Sequence, residues 1–186
     1  MANGFFSQPV FIPGGDPDGM NEPTLEYPGQ LGIRFSYTIP PRATPSNTTG
    51  AGSARTYKLI KTDSTMAVAP YAGAVAWFYD QVNAIVTTTV AALGRGRVAG
   101  VFRNAITPGN YGCILVKGLA SVKFIDGVTA APTAAGLIVI PSATNGKADC
   151  LAAGSAATYP IIGRSAGAYD APNATALVDV DVPEVL

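Results

Sequence analysis

Histidine is absent from this chain of 186 residues, and charge of either sign is scarce. Without histidine, serine and cysteine nucleophiles lose their usual general base, so the familiar triads are excluded. Charged residues make up 13%, about half the ordinary share of roughly 25%. A surface that short of charge is expected to be covered in part by something else. Lys plus Arg equals Asp plus Glu, so the net charge is zero, and attraction to nucleic acid or to an anionic membrane has no whole-chain electrostatic basis. Cysteine is limited to Cys113 and Cys150. Two thiols with no histidine cannot build a zinc motif. A bridge between them is possible and is worth roughly 3–4 kcal/mol on loop-closure grounds, but two free thiols fit a cytoplasmic protein better. There is no apolar run of the length a membrane-spanning helix needs. The start, MANGFFSQPV, lacks the basic and apolar regions of a signal peptide, and synthesis in the cytoplasm is expected.

What the chain does have is 21 Gly and 15 Pro beside abundant Ala, Thr and Val. That composition disfavours long helices and favours strands joined by tight turns. The densest strand signal lies in residues 94–124, GRGRVAGVFRNAITPGNYGCILVKGLASVKF. Residues 97–103 and 111–117 read as two strands joined at Thr107-Pro108-Gly109-Asn110, where Pro fixes φ and Gly-Asn tolerates positive φ. A second turn at Gly118 is expected to lead into a third strand at residues 122–124, giving a meander.

Residues 31–37 alternate, with Leu31, Ile33, Phe35 and Tyr37 on one face. Residues 56–62, 73–79 and 84–89 read as further strands, and a turn at residues 80–83 pairs the last two. Residues 137–140 form an apolar run suited to a strand covered on both faces, and Asn145-Gly146 is a hairpin turn signal. Residues 159–164 and 176–182 close the series at nine or ten short strands. The fold class is therefore all-β: a single sandwich or barrel of jelly-roll type over residues 31–186, preceded by an extended arm over residues 1–30. Leu31, Ile33, Phe35, Val101, Ile114, Val116, Val178 and Val180 are the expected core.

The arm carries Phe5, Phe6, Val10, Phe11 and Ile12 between prolines. It cannot form a core alone, so it either wraps its own domain or crosses to a neighbouring subunit. Charge falls in blocks: Asp16, Asp18, Glu22 and Glu26 without a base; then Arg34, Arg42, Arg55, Lys58 and Lys61 without an acid; then Arg95, Arg97, Arg103, Lys117 and Lys123; then acids alone after Ser165. Such segregation suits complementary contact between elements or between subunits, and self-association as a dimer or trimer is expected.

No motif carries chemistry. Gly94-Arg95-Gly96-Arg97 lacks the Lys-Ser/Thr of a phosphate-binding loop. Asp16-Pro17-Asp18-Gly19 offers two carboxylates where a calcium loop needs more. Trp77, beside Phe78 and Tyr79, reads as core more readily than as a stacking platform. The expectation is a protein that is not an enzyme and takes no metal or cofactor.

The stretches KLIKTDSTMAVAPYAGAVAWFYD and LGRGRVAGVFRNAITPGNYGCILVKG resemble the small capsid decoration, or cement, proteins of tailed bacteriophages. The resemblance covers roughly a third to a half of the chain and rests on Gly/Ala/Val-rich strand patterns. It implies a structural virion protein on the exterior of a phage head, bracing neighbouring capsomers, with the major capsid protein and other copies of itself as partners and neither nucleic acid nor membrane among them. Candidate contact residues are Phe5, Phe6, Val10, Phe11, Ile12, Arg95, Arg97 and Arg103. The alternative class is a carbohydrate- or receptor-binding β-module using Trp77, Tyr79 or Tyr111.

Overall fold

A computed structural model of the chain describes residues 16–25, 28–38, 54–90, 97–125, 131–152, 155–157 and 160–183. Among them are ten strands and no α-helix: β1 (Arg34–Thr38), β2 (Ala54–Thr62), β3 (Val75–Asp80), β4 (Ile85–Thr87), β5 (Val98–Phe102), β6 (Tyr111–Lys123), β7 (Ile138–Pro141), β8 (Ala148–Cys150), β9 (Gly163–Ser165) and β10 (Thr175–Asp181). The all-β class expected from the sequence is what forms, and the architecture is a barrel. Strands run β2-β4-β3-β5-β6, and β6 pairs back onto β2, which closes the ring. Closure removes the open edges that a five-stranded sheet otherwise exposes. The seam between β2 and β4 is parallel, with Lys61 opposite Ile85 and Thr62 opposite Val86. β1 lies antiparallel on β2. On the other flank β10, β9, β7 and β8 follow in that order.

β6 ties the two parts together. Its first half pairs with β2 and β5, and its second half runs against β10 from Lys117 opposite Asp181 to Lys123 opposite Thr175. The turn expected at Gly118 is not there, and the three-strand meander is instead a two-strand hairpin whose second strand runs uninterrupted for 13 residues. Gly118 does take a positive φ, 117°. It is spent on a bend, facing a register shift between Thr56 and Tyr57 of β2, where a Cβ would press on the Arg55 side chain. The turn at residues 107–110 does form: the Asn110 amide donates to the Thr107 carbonyl at 2.9 Å, with Gly109 at φ 90°.

The barrel wall is buried on both faces. Neighbours in sequence feed different clusters: Leu59, Trp77 and Leu115 go to the larger one, Ile60, Ala76 and Ile114 to the smaller. The smaller cluster draws on barrel strands and Ile106. The larger one reaches across to Val139, Ile162 and Val178 of the flanking sheet and to Met20. Every residue of β5 is buried. Two-sided burial explains the shortage of charge, because few strand positions face water. Of the expected core, Val101, Ile114, Val116, Val178 and Val180 are fully buried, and Leu31 and Phe35 pack against the larger cluster. Ile33 is a correction, being 41% exposed. A 3-10 turn at Pro28–Gln30 and the left-handed Gly32 (φ 84°) precede it, so regular alternation starts only at Arg34.

Candidate functional site

Most of the candidate contact residues fall in the expected arm, and its residues 16–25 are packed against and paired with the barrel. A turn sets its direction: the Gly19 amide donates to the Asp16 carbonyl at 3.2 Å, and the Asp18 amide to Asp16 Oδ1 at 3.0 Å. Met20 then inserts, 1% exposed, with its sulfur 3.6 Å from the Cys113 sulfur. Gly112 makes this approach possible, since a Cβ there would collide with Ile106 and crowd the Met20 carbonyl. Glu22 and Tyr111 exchange backbone hydrogen bonds at 3.0 and 2.8 Å, adding a one-residue rung to β6. Asn21 serves the β5–β6 loop as a hub. Its Oδ1 accepts from the Thr107 amide at 3.0 Å and from Asn110 Nδ2 at 2.9 Å, and its Nδ2 donates to Thr107 Oγ1.

Asp18 is the electrostatic anchor. Its Oδ1 accepts from the Tyr57 hydroxyl at 2.8 Å, its Oδ2 accepts from Arg55 at 3.2 Å, and Arg103 Nε stands 3.5 Å from Oδ1. Arg55 is 2% exposed, so its charge is held far from bulk water and the carboxylate is needed beside it. Tyr57 lies between Phe35, stacked at 5.9 Å, and Tyr37, edge-on at 6.4 Å. Burial first, then the negative charge of Asp18, pushes its phenol far above the ordinary tyrosine range. It stays a hydrogen-bond donor. The acidic block of the arm thus meets both basic blocks within one chain.

The sequence-derived candidates distribute unevenly over this geometry. Phe5, Phe6, Val10, Phe11, Ile12 and Arg95 lie outside the described residues. Arg103 is turned inward onto Asp18, which commits it to holding the arm root. Arg97 is exposed and donates to Gln81 Oε1 at 3.1 Å. Trp77 is 1% exposed and is core, not a stacking platform. Tyr111 is half-buried with the Lys61 ammonium 5.2 Å over its ring, while Tyr79 is 51% exposed.

Cys113 and Cys150 are free thiols. Burial pushes Cys113 up to about 12 and Cys150 up to about 11, with nearby carboxylates adding to the shift, so neither is a thiolate at neutral pH. Among the described residues no three His, Cys, Asp or Glu side chains gather to hold a metal, and no helix is long and apolar enough to cross a membrane. Comparison with protein-family models finds no match, and comparison with curated proteins finds none either. What sequence reasoning missed is the role of Asp18, Asn21 and Tyr57. Asp18 was legible as an acid in a turn, but its partners come from β2 and from the loop after β5, far from it in sequence.

Proposed function

We propose that the chain is a structural virion protein that decorates the outer surface of a phage head and braces neighbouring capsomers. The observation that carries this reading is the clasp on residues 16–25. Ion pairs, the Tyr57 hydroxyl and the Glu22–Tyr111 rung fix that stretch to the barrel. Phe5, Phe6, Val10, Phe11 and Ile12 therefore sit in sequence just ahead of a rigid anchor point. An anchored apolar peptide suits addition to a sheet edge or a groove on a large protein surface. The barrel behind it is closed and buried on both wall faces, a body suited to bearing load instead of opening for a substrate. The major capsid protein is the partner this reading names, with the virion exterior as the location.

The test is binding of the full chain and of a chain lacking residues 1–15 to heads stripped of decoration proteins. The full chain is expected to co-sediment with heads, and the shortened chain to stay folded but bind much more weakly. Equal binding by both removes the arm from the interface; absence of binding by the full chain overturns the reading.

A further inference from the structure

Asn145-Gly146, a turn signal in the sequence, forms part of the turn that joins β7 to β8. The turn is braced from within: the Ser142 amide donates to the Lys147 carbonyl at 2.9 Å, and the Lys147 amide to the Thr144 carbonyl at 3.1 Å. Ser142 and Thr144 add two more bonds through the serine hydroxyl, at 3.1 and 3.0 Å. β8 ends the strand order, five places from β4 past β3 and β6, yet its turn comes back to the barrel. The Val75 amide, at the start of β3, donates to the Gly146 carbonyl at 2.8 Å, and the Gly146 amide donates to the Thr88 carbonyl, just past β4, at 3.0 Å. The Val90 amide donates to Asn145 Oδ1 at 2.9 Å. The flanking sheet is thereby drawn back onto the barrel wall.

Both residues of the pair are required for this docking. Gly146 is buried at φ 68°, and a Cβ there would stand 3.0 Å from the Tyr71 hydroxyl and 3.3 Å from the Ala74 Cβ. Asn145 supplies the oxygen that the Val90 amide needs.

Asn followed by Gly is also the pair most open to a reaction of the backbone itself. The Gly nitrogen attacks the Asn Cγ and closes a five-membered succinimide. The carboxamide leaves as ammonia, taking the proton that the attacking amide gives up, and water then opens the ring at either carbonyl to leave aspartate or isoaspartate. Glycine has no side chain to obstruct the approach. In the folded chain both reactants are occupied: the attacking Gly146 N–H is committed to Thr88, and the carboxamide under attack is held by Val90. Ring closure has to wait until the turn lifts off the barrel.

We propose that Asn145-Gly146 is a deamidation site silenced by docking of the β7–β8 turn, and that reaction there makes an opening of the turn permanent. Isoaspartate routes the main chain through Cβ and Cγ, which adds one methylene between residues 145 and 146. The spacing that lets Gly146 bond Val75 and Thr88 while Asn145 bonds Val90 is then lost. Aspartate at 145 leaves the main chain unchanged and keeps an oxygen for the Val90 amide, so the isoaspartyl product alone blocks reclosure.

Peptide mapping by mass spectrometry of the full chain, aged in mildly alkaline buffer with and without urea, tests the silencing. Conversion at Asn145 is expected to be slower in the folded chain by about tenfold or more, because it proceeds only through local opening. Equal rates in the two conditions overturn the proposal. The second part is read by hydrogen exchange on the isoaspartyl chain, separated after ageing in urea and refolded, beside Asn145→Asp. The isoaspartyl chain should lose protection at the Val75 amide while Ile114 and Leu115 keep theirs, and Asn145→Asp should keep protection at all three. An isoaspartyl chain as protected at Val75 as the wild type, loss of protection throughout the barrel, or equal loss in Asn145→Asp overturns the block to reclosure. None of these readouts involves the arm or a capsid, so their failure leaves the decoration reading untouched.

Discussion

The Tyr57 hydroxyl donates to Asp18 at 2.8 Å, joining β2 of the barrel to the stretch of chain that precedes β1. Around that bond stand Arg55 and Arg103, so one carboxylate serves two guanidiniums. Removing it by Asp18→Ala should cost about 3 kcal/mol, because Arg55 would keep its charge with little access to water. Tyr57→Phe removes one hydrogen bond to a charged group and should cost about 1.5 kcal/mol. Urea midpoints measure both, and an Asp18→Ala loss smaller than that of Tyr57→Phe would show that the clasp is held by packing alone.

Ile114→Ala should lose about 2–5 kcal/mol, since Ile114 is fully buried and the barrel wall cannot collapse into the space it leaves. Ile33→Ala should stay within about 0.5 kcal/mol, as for other exposed sites. The pair of urea titrations checks the face assignment at both ends of the alternation.

Gly163→Ala should be among the most damaging small substitutions. A Cβ at this position would run into the Asp179 carbonyl oxygen across the β9–β10 ladder, and backbone cannot swing aside as a side chain can. A loss of about 1–3 kcal/mol is expected from such overpacking. Gly167→Ala is the control, having open space around it, and equal melting temperatures for the two variants would refute the close approach.

The thiols should make stability fall in alkali. In the unfolded chain each loses its proton near the ordinary value of 9.0, whereas the folded chain holds it up to about 12 at Cys113 and about 11 at Cys150. Between those limits the native state binds more protons than the unfolded state, so ΔG of unfolding declines as pH rises and is unaffected by these groups below pH 9. A thiol reagent at pH 8 should label Cys113 slowly in the native protein and fast in urea. Rapid native labelling would place Cys113 at the surface.

How far residues announce structure varied with the distance over which they act. Alternation in β2 and β10 and the Pro108-Gly109 turn are local, and each formed where its pattern lay. Gly118 misled because a positive φ serves a bend inside a strand as well as a turn between strands, and only the register of β2 and β10 decides which. Ile33 misled because Gly32 rotated the chain just before the strand began. The clasp was illegible, since Asp18, Arg55, Tyr57 and Arg103 meet only after the barrel closes.

Barrel closure across β2 and β4 rests on two register pairs in a parallel join, while β6 holds β2 along a much longer antiparallel ladder. Parallel pairing is slightly the weaker per residue, and here it is also the shorter. The ring should therefore breathe at this place first. The amides of Lys61 and Asp63, which donate to Ala84 and Val86 at 3.1 and 2.8 Å, should exchange with deuterium before those of Ile114 and Leu115, by local opening that leaves the rest of the barrel intact. Stretching forces on the molecule would find the same seam, so a protein braced at both ends would yield there by peeling a strand, then reseal, instead of unravelling.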